Sequence, residues 1–263
     1  MDTKVLNIGI VGLDSNQTKS YIMALNKYGY SVESLILILP PEVNTIKNRI
    51  KGAIKRLMLS IILLPYLKYF ENISGFPLKY FGRFNYSSYV SKVIRISASS
   101  INSDEVFKAV CSRPTRQFIY AGGGIVNERY FVENTFIHAH PGYLPDVKGS
   151  HGTLWSLLVR GKFGCSCLVM DKGIDTGKIL LAREFEPQIM KCLSLGEKSI
   201  ERLLNFYLDP IMRALVMSET VVSRVRGHGL ELTSGIENDS SVPAYYFMHR
   251  RHREYVVKKY LCN

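Results

Sequence analysis

Two histidines two apart, followed by a rigid turn, are the first residues of this chain whose types and spacing could do chemistry. They are His138 and His140 in "FIHAHPGYLPDVKG", residues 136–149. On an extended strand, positions i and i+2 point to the same face. Pro141, Gly142 and Pro145 then force a tight turn. Further along, "MDKGIDTG" holds Asp171 and Asp175. If the two segments meet, a carboxylate can orient an imidazole and raise its pKa, which is acid–base equipment. The same residues also suit a metal, since His-x-His with an aspartate, and His151 nearby, could ligate zinc. The plainer reading is that strand-end histidines bond to backbone. At this level all three stand open.

The elements that must position these residues are legible as alternating strands and helices. "VLNIGIVGLDS" reads as a buried strand, Val5 to Val11, turning at Gly12, and Asp14 with Gln17 reads as the cap of a helix ending near Lys27. "YSVESLILIL", "KVIRI" (Lys92 to Ile96), "QFIYAGG" and "TFIHAH" read as further strands. Asn102 with Glu105 reads as the cap of a helix carrying Val106, Phe107 and Val110. This alternation implies an α/β fold: a Rossmann-like, mostly parallel sheet with helices on both faces. Gly9 and Gly12 do not make the dinucleotide fingerprint, so NAD is not expected. Ligands of such sheets sit beyond the carboxyl ends of the strands. "AGGGIV" and "HAHPGYLP" occupy that place, and Gly122, Gly123 and Gly124 let a flat ligand approach the backbone.

After residue 160 the pattern changes. "CSCLVM" and "KILLAREFE" read as strands joined by "DKGIDTG". A helical pattern runs from Glu197 to Glu219, with Ile200, Leu203, Leu204, Tyr207 and Leu208 on one stripe and a kink at Pro210. "RGHGLELTSGIENDSSVP" reads as loop or weak hairpin, and "YYFMHRRHREYVVKKYLCN" as a basic, aromatic tail. The expected organisation is a catalytic domain over residues 1–190, with a basic amphipathic insertion at about 44–90, then a C-terminal helical and loop extension over 191–263. Within the insertion, residues 46–64 carry Ile46, Ile50, Ile54, Leu57, Ile61 and Leu64 near helical period, with Lys47, Lys51, Lys55 and Arg56 largely on other faces. Such a helix packs on its own domain or on a second subunit, giving a homodimer, more often than on an anionic membrane surface.

The composition sets bounds. The 263 residues suit one large domain with an appendage, and 46% hydrophobic content is ordinary for a packed core. The formal net charge of +12 favours an anionic partner. The five cysteines show no zinc-finger spacing, and Cys165 and Cys167 fall on one strand face as small buried hydrophobes. A reduced, cytoplasmic setting fits them. No secretory signal is visible, and the most apolar stretch, broken by Pro65, is too short to span a bilayer.

"HAHPGYLPDVKG", then "LWS", then "DKGIDTGKIL" resembles the folate-dependent formyltransferases. That family shows N-x-H-P-S-x-L-P, a glycine a few residues on, and later D-x-G-I-D-T-G. The resemblance covers Phe118 to Leu181. Trp155-Ser156, Tyr143-Leu144-Pro145 and the closing "AYYFMHRR" look most like the branch that formylates amino sugars on nucleotides.

The resemblance implies a formyltransferase fold, with 10-formyltetrahydrofolate as formyl donor and a small-molecule amine, a sugar nucleotide, as acceptor. It implies His140 as catalytic base and Asp175 as its partner. His138 stands where the family has an asparagine that hydrogen-bonds the formyl oxygen, and an imidazole N–H could replace that donor. Gly142 stands in place of the family's serine. The folate would lie against Gly122, Gly123, Gly124 and Ile125, and against Asp171, Gly173 and Ile174. Tyr143, Lys148 and His151 would contact the acceptor.

The expected enzyme is thus a cytoplasmic N-formyltransferase with no metal and no nucleic-acid partner. A hydroxyornithine-type amine is the other acceptor, and initiator tRNA is disfavoured because the tail is too short for the extra barrel of those enzymes. The rivals are a metal-dependent hydrolase using His138, His140 and Asp175, and a folate-binding protein whose transferase activity is lost.

Overall fold

In the computed structural model, which describes residues 3–41, 84–187, 197–239 and 241–262, the apolar runs become one seven-stranded sheet. In chain order the strands are β1 (Lys4–Leu13), β2 (Tyr30–Leu39), β3 (Val90–Ser97), β4 (Gln117–Ala121), β5 (Thr135–His140), β6 (Phe163–Val169) and β7 (Ile179–Phe185). Their spatial order is β3-β2-β1-β4-β5-β6-β7, parallel from β3 to β5 and antiparallel at β6 and β7.

The mostly parallel sheet with helices on both faces is therefore present. Side-chain alternation along the strands builds two cores. On one face Leu6, Ile8, Ile10, Leu35, Leu37, Ile119 and Ile137 pack with α1 (Asn16–Lys27) through Ile22 and Leu25. On the other, Val11, Ile36, Ile38, Phe118 and Phe136 pack with α2 (Asp104–Cys111) through Val106 and Val110. Helix α3, Gly152–Arg160, follows the turn after β5.

The C-terminal helical pattern is α4 (Glu197–Leu203), a π-helical turn (Leu204–Leu208) and α5 (Asp209–Arg224). Pro210 lies in the first turn of α5, where its missing N–H costs little, so the irregularity falls just before it. Ile211, Met212, Val216 and Met217 of α5 join the same core as β1. A two-residue hairpin, β8 (Val225–Arg226) with β9 (Gly229–Leu230), follows, and the basic tail forms α6, Arg250–Leu261.

Several local expectations need correction. Strand β1 continues through Gly12, which pairs with Leu37 and Ala121, and glycine is needed there since a side chain would overlap Ala121 and Thr18. Ser15, not Asp14, caps α1: its hydroxyl accepts the Thr18 N–H at 3.3 Å, while Asp14 accepts the Tyr86 hydroxyl at 2.6 Å. Ser103 takes the cap position of α2, and the Asn102 side chain instead ties down the loop after β4. Residues 46–64 and most of the expected insertion lie outside the described residues. Among the described residues no helix is long and apolar enough to cross a membrane.

Candidate active site

The turn after β5 and the loop between β6 and β7 meet at His140. Its Nδ1 lies 3.1 Å from Asp175 Oδ2, and its Nε2 lies 2.9 Å from the Val147 carbonyl oxygen. The ring is 2% exposed. Burial lowers its pKa from the ordinary imidazole value, against the opposing pull of the Asp175 carboxylate. A neutral ring has one N–H, yet both atoms facing its nitrogens are acceptors. Only a ring with two N–H groups makes both hydrogen bonds. The contacts thus favour proton uptake while burial opposes the charge.

Asp175 is held as firmly as the ring it faces. Its backbone sits in the left-handed region at φ 52°, a conformation aspartate tolerates better than most residues. The Asn238 amide donates to its carbonyl at 2.6 Å, and its Oδ2 also accepts the Gly149 N–H at 2.9 Å.

The turn itself is clamped by β6 and α3. Alternation on β6 sends Cys165 and Cys167 into the core and Ser166 to the other face, under the turn. Ser166 donates to the Gly142 carbonyl and accepts the Leu144 N–H, both at 2.9 Å. Ser156 of α3 accepts the Tyr143 N–H at 3.3 Å. Gly142 is required by this packing, since a Cβ there would overlap His140 Nε2 and the Val147 carbonyl.

His138 is engaged differently. Its Nδ1 faces the Tyr120 carbonyl at 3.1 Å and its Nε2 faces the Arg213 guanidinium at 3.2 Å. Burial and the Arg213 charge push its pKa down to about 3. Both ring nitrogens are committed to protein partners. Among the described residues no group of three His, Cys, Asp or Glu side chains is placed to hold a metal ion.

The expected folate-side residues form two open loops. Gly122 lies against the Tyr120 ring, the Tyr120 hydroxyl donates to the Gly123 carbonyl at 2.6 Å, and Gly124 takes φ 85°. Nothing crowds the position of a Cβ on Gly123, and Ile125 is 70% exposed. Across the other loop, Asp171 Oδ1 accepts the Gly173 N–H at 3.0 Å and the Thr176 hydroxyl at 2.6 Å, leaving Ile174 exposed.

The expected acceptor residues divide. Tyr143 is half-buried, with the Arg160 guanidinium over its ring at 4.1 Å. His151 is half-buried and accepts the Met248 N–H at Nδ1, 2.9 Å away. Lys148 is turned inward: it is 1% exposed and its ammonium donates to the Asp239 carbonyl.

The contacts of His151 and Lys148 belong to a strap whose docking the sequence did not reveal. Tyr245 accepts the Ser150 N–H at 3.0 Å and donates its N–H to the Lys148 carbonyl at 2.9 Å. Trp155 stacks on Tyr245 at 4.5 Å and donates to the Tyr246 carbonyl at 3.0 Å. Arg213 was missed too. Its signal was a lone cation in the apolar stretch "DPIMRALVM", four residues after Asp209.

Set beside known proteins, the chain matches no protein-family model and no curated protein. Among the solved structures it resembles are formyltransferases. It is similar to glycinamide ribonucleotide transformylase 1 from Symbiobacterium toebii, at 12% identity and a TM-score of 0.49, over 88% of this chain and 95% of that one. A 4-N formyltransferase from Francisella tularensis is similar at 14% identity and a TM-score of 0.48, over 95% of this chain and 85% of that one. A sugar N-formyltransferase from a Shewanella species is similar at 14% identity and a TM-score of 0.43, over the same shares.

Proposed function

We propose that this chain transfers a formyl group from 10-formyltetrahydrofolate to a primary amine, and that the acceptor is an amino-sugar nucleotide. One observation carries the proposal: His140 and Asp175, from two separate motifs, meet at 3.1 Å over a turn that packing fixes in place. The resemblance of those motifs to the folate-dependent formyltransferases gives the pair its chemistry.

When bound, the folate supplies an activated formyl carbon. The open backbone at Gly123, the positive φ of Gly124 and the exposed side chains of Ile125 and Ile174 fit a flat heteroaromatic ring. Asp171 and Gly173 shape the second of the two loops through their own hydrogen bond.

The amine must lose a proton as it attacks. His140 is the base in this reading, contributing about 10²–10⁴ in rate. Asp175 holds Nδ1, so Nε2 is the nitrogen that faces the amine, and the Val147 carbonyl now stands against it at 2.9 Å. Acceptor binding therefore displaces that carbonyl contact. Proton uptake gives His140 its second N–H, and that proton would pass to the departing tetrahydrofolate nitrogen as its bond to the formyl carbon breaks.

His138 donates to the formyl oxygen only if its Nδ1–H leaves the Tyr120 carbonyl, since the Tyr143, Leu144, Gly149 and Ser150 N–H groups of the turn already have acceptors. Tyr143 and His151 are the acceptor contacts, while Lys148 supports the strap. The net charge of +12 suits an acceptor carrying phosphates. The buried thiols of Cys165 and Cys167 accord with a cytoplasmic setting.

The test is a panel of amino-sugar nucleotides, with a hydroxyornithine-type amine beside them, each incubated with 10-formyltetrahydrofolate. Gain of one formyl mass on a sugar nucleotide supports the reading. Gain on the hydroxyornithine-type amine alone removes the sugar, and no gain on any amine removes formyl transfer.

A further inference from the structure

The Arg213 guanidinium is buried between α1, α5 and β5. It is 8% exposed, donates through Nε to the Ala139 carbonyl at 2.6 Å, lies 3.5 Å from Asp209 Oδ2, and has the Tyr21 side chain of α1 nearby. Asp209 is fixed in turn by the Thr153 hydroxyl at 3.1 Å. The remaining arm of the fork reaches His138 Nε2.

A guanidinium has donors and no acceptor, and a peptide carbonyl has acceptors and no donor. Arg213 on one side of the His138 ring and the Tyr120 carbonyl on the other therefore demand a single protonation state. We infer that Arg213 is a positioning residue that locks His138 as the neutral tautomer with its proton on Nδ1, joining α5 to β5 and to the end of β4.

His138 is then a fixed link. It neither titrates in the working range nor offers a lone pair to a metal. The groups that act on it are Arg213 from α5, Tyr120 from β4, His140 from its own strand, and Asp175 from the loop between β6 and β7, with Asp209 behind Arg213. The Arg213 charge opposes a second proton on the ring, and the Asp175 carboxylate only partly offsets it. The link also gives a reason for histidine here. Its acceptor nitrogen and N–H match the acceptor oxygen and donor NH2 of an asparagine side chain.

The lock itself does not depend on the activity proposed above; only its kinetic consequence rests on that reading. Long-range proton–nitrogen NMR of the full ¹⁵N-labelled chain reads the state of His138 directly. The expected result is one protonated and one bare ring nitrogen, unchanged between about pH 5 and 8, the window in which free histidine titrates. In Arg213→Gln the ring is expected to mix tautomers or to titrate. In Arg213→Lys the charge remains, but one ammonium cannot serve both Ala139 and His138, so the tautomer is expected to mix.

The kinetic arm expects kcat to fall about 100-fold in Arg213→Gln, from misplacement alone, with the KM for the formyl donor little changed. Wild-type His138 titrating within the window, a proton on its Nε2, or an unchanged lock in both Arg213 variants would overturn the inference. Should Arg213→Gln fail to fold, the wild-type spectrum and Arg213→Lys still decide. Absence of formyl transfer by the wild type removes the functional reading and leaves the NMR outcome to decide the lock.

Discussion

The turn after β5 is held from several directions, whereas the loop after β4 is held by two side chains. Ser166 of β6, Ser156 of α3, Asp175 and Tyr245 all bond to the 142–150 segment. The loop from Gly122 to Ile125 is secured by the Tyr120 hydroxyl and by Asn102, and the Ile125 side chain stays exposed. Under the proposed function, the contrast separates two tasks. A proton-transfer group needs fixed geometry, which comes from cross-links to rigid elements. A surface for a flat ligand needs exposed backbone and apolar side chains, which come from leaving glycines uncovered.

The sharpest way to break the contrast is at the clamped side. His140→Ala is expected to lower formyl-transfer turnover by about 10²–10⁴. Folate binding, followed by calorimetry, is expected to persist, because the folate loops do not need the ring. Equal loss of binding would merge the two regions into one.

Acid is the next lever. Burial lowers the pKa of both His138 and His140 below the unfolded value of about 6.5. The unfolded chain then binds more protons at low pH, so stability is complete above about pH 6.5 and falls below it. For His138 the loss approaches about 1.4 kcal/mol per pH unit and continues toward about pH 3, and His140 adds to it in the same direction. Denaturant midpoints measured from pH 8 downward check this. A His138→Asn variant is expected to show a shallower slope.

Crowding and loosening the turn come next. Gly142→Ala is expected to cost about 1–3 kcal/mol, because the new methyl overlaps His140 and the Val147 carbonyl. Ser166→Ala is expected to cost a similar 1–3 kcal/mol or so, since the Gly142 carbonyl and Leu144 N–H lose their partner. Urea unfolding measures both. On the open side, Ile125→Ala is expected to move stability by less than about 0.5 kcal/mol while raising the KM for the formyl donor.

The same division governs what could be read from the sequence. Strands β2 and β5 were legible to the residue, because an apolar run bounded by turn residues needs no partner to be recognised. The meeting of His140 and Asp175 was anticipated only through the paired motifs. Ser166 was within reach of the alternation that sends Cys165 and Cys167 inward. The strap at Tyr245 and the Arg213 link were not legible. They join residues about a hundred and about 75 positions apart, and the local signal at Arg213, a lone cation in an apolar stretch, does not say what it reaches. The Gly142 position was seen as a departure from a family pattern, and its packing against His140 explains it only in three dimensions.

The central claim is that the clamped pair His140–Asp175 moves a proton during formyl transfer. Mass analysis of an amino-sugar nucleotide, incubated with 10-formyltetrahydrofolate and either the wild type or Asp175→Ala, tests it most directly. The account predicts one added formyl group with the wild type and almost none with the variant in the same time. Equal formylation by the two proteins, or none by either, would contradict it.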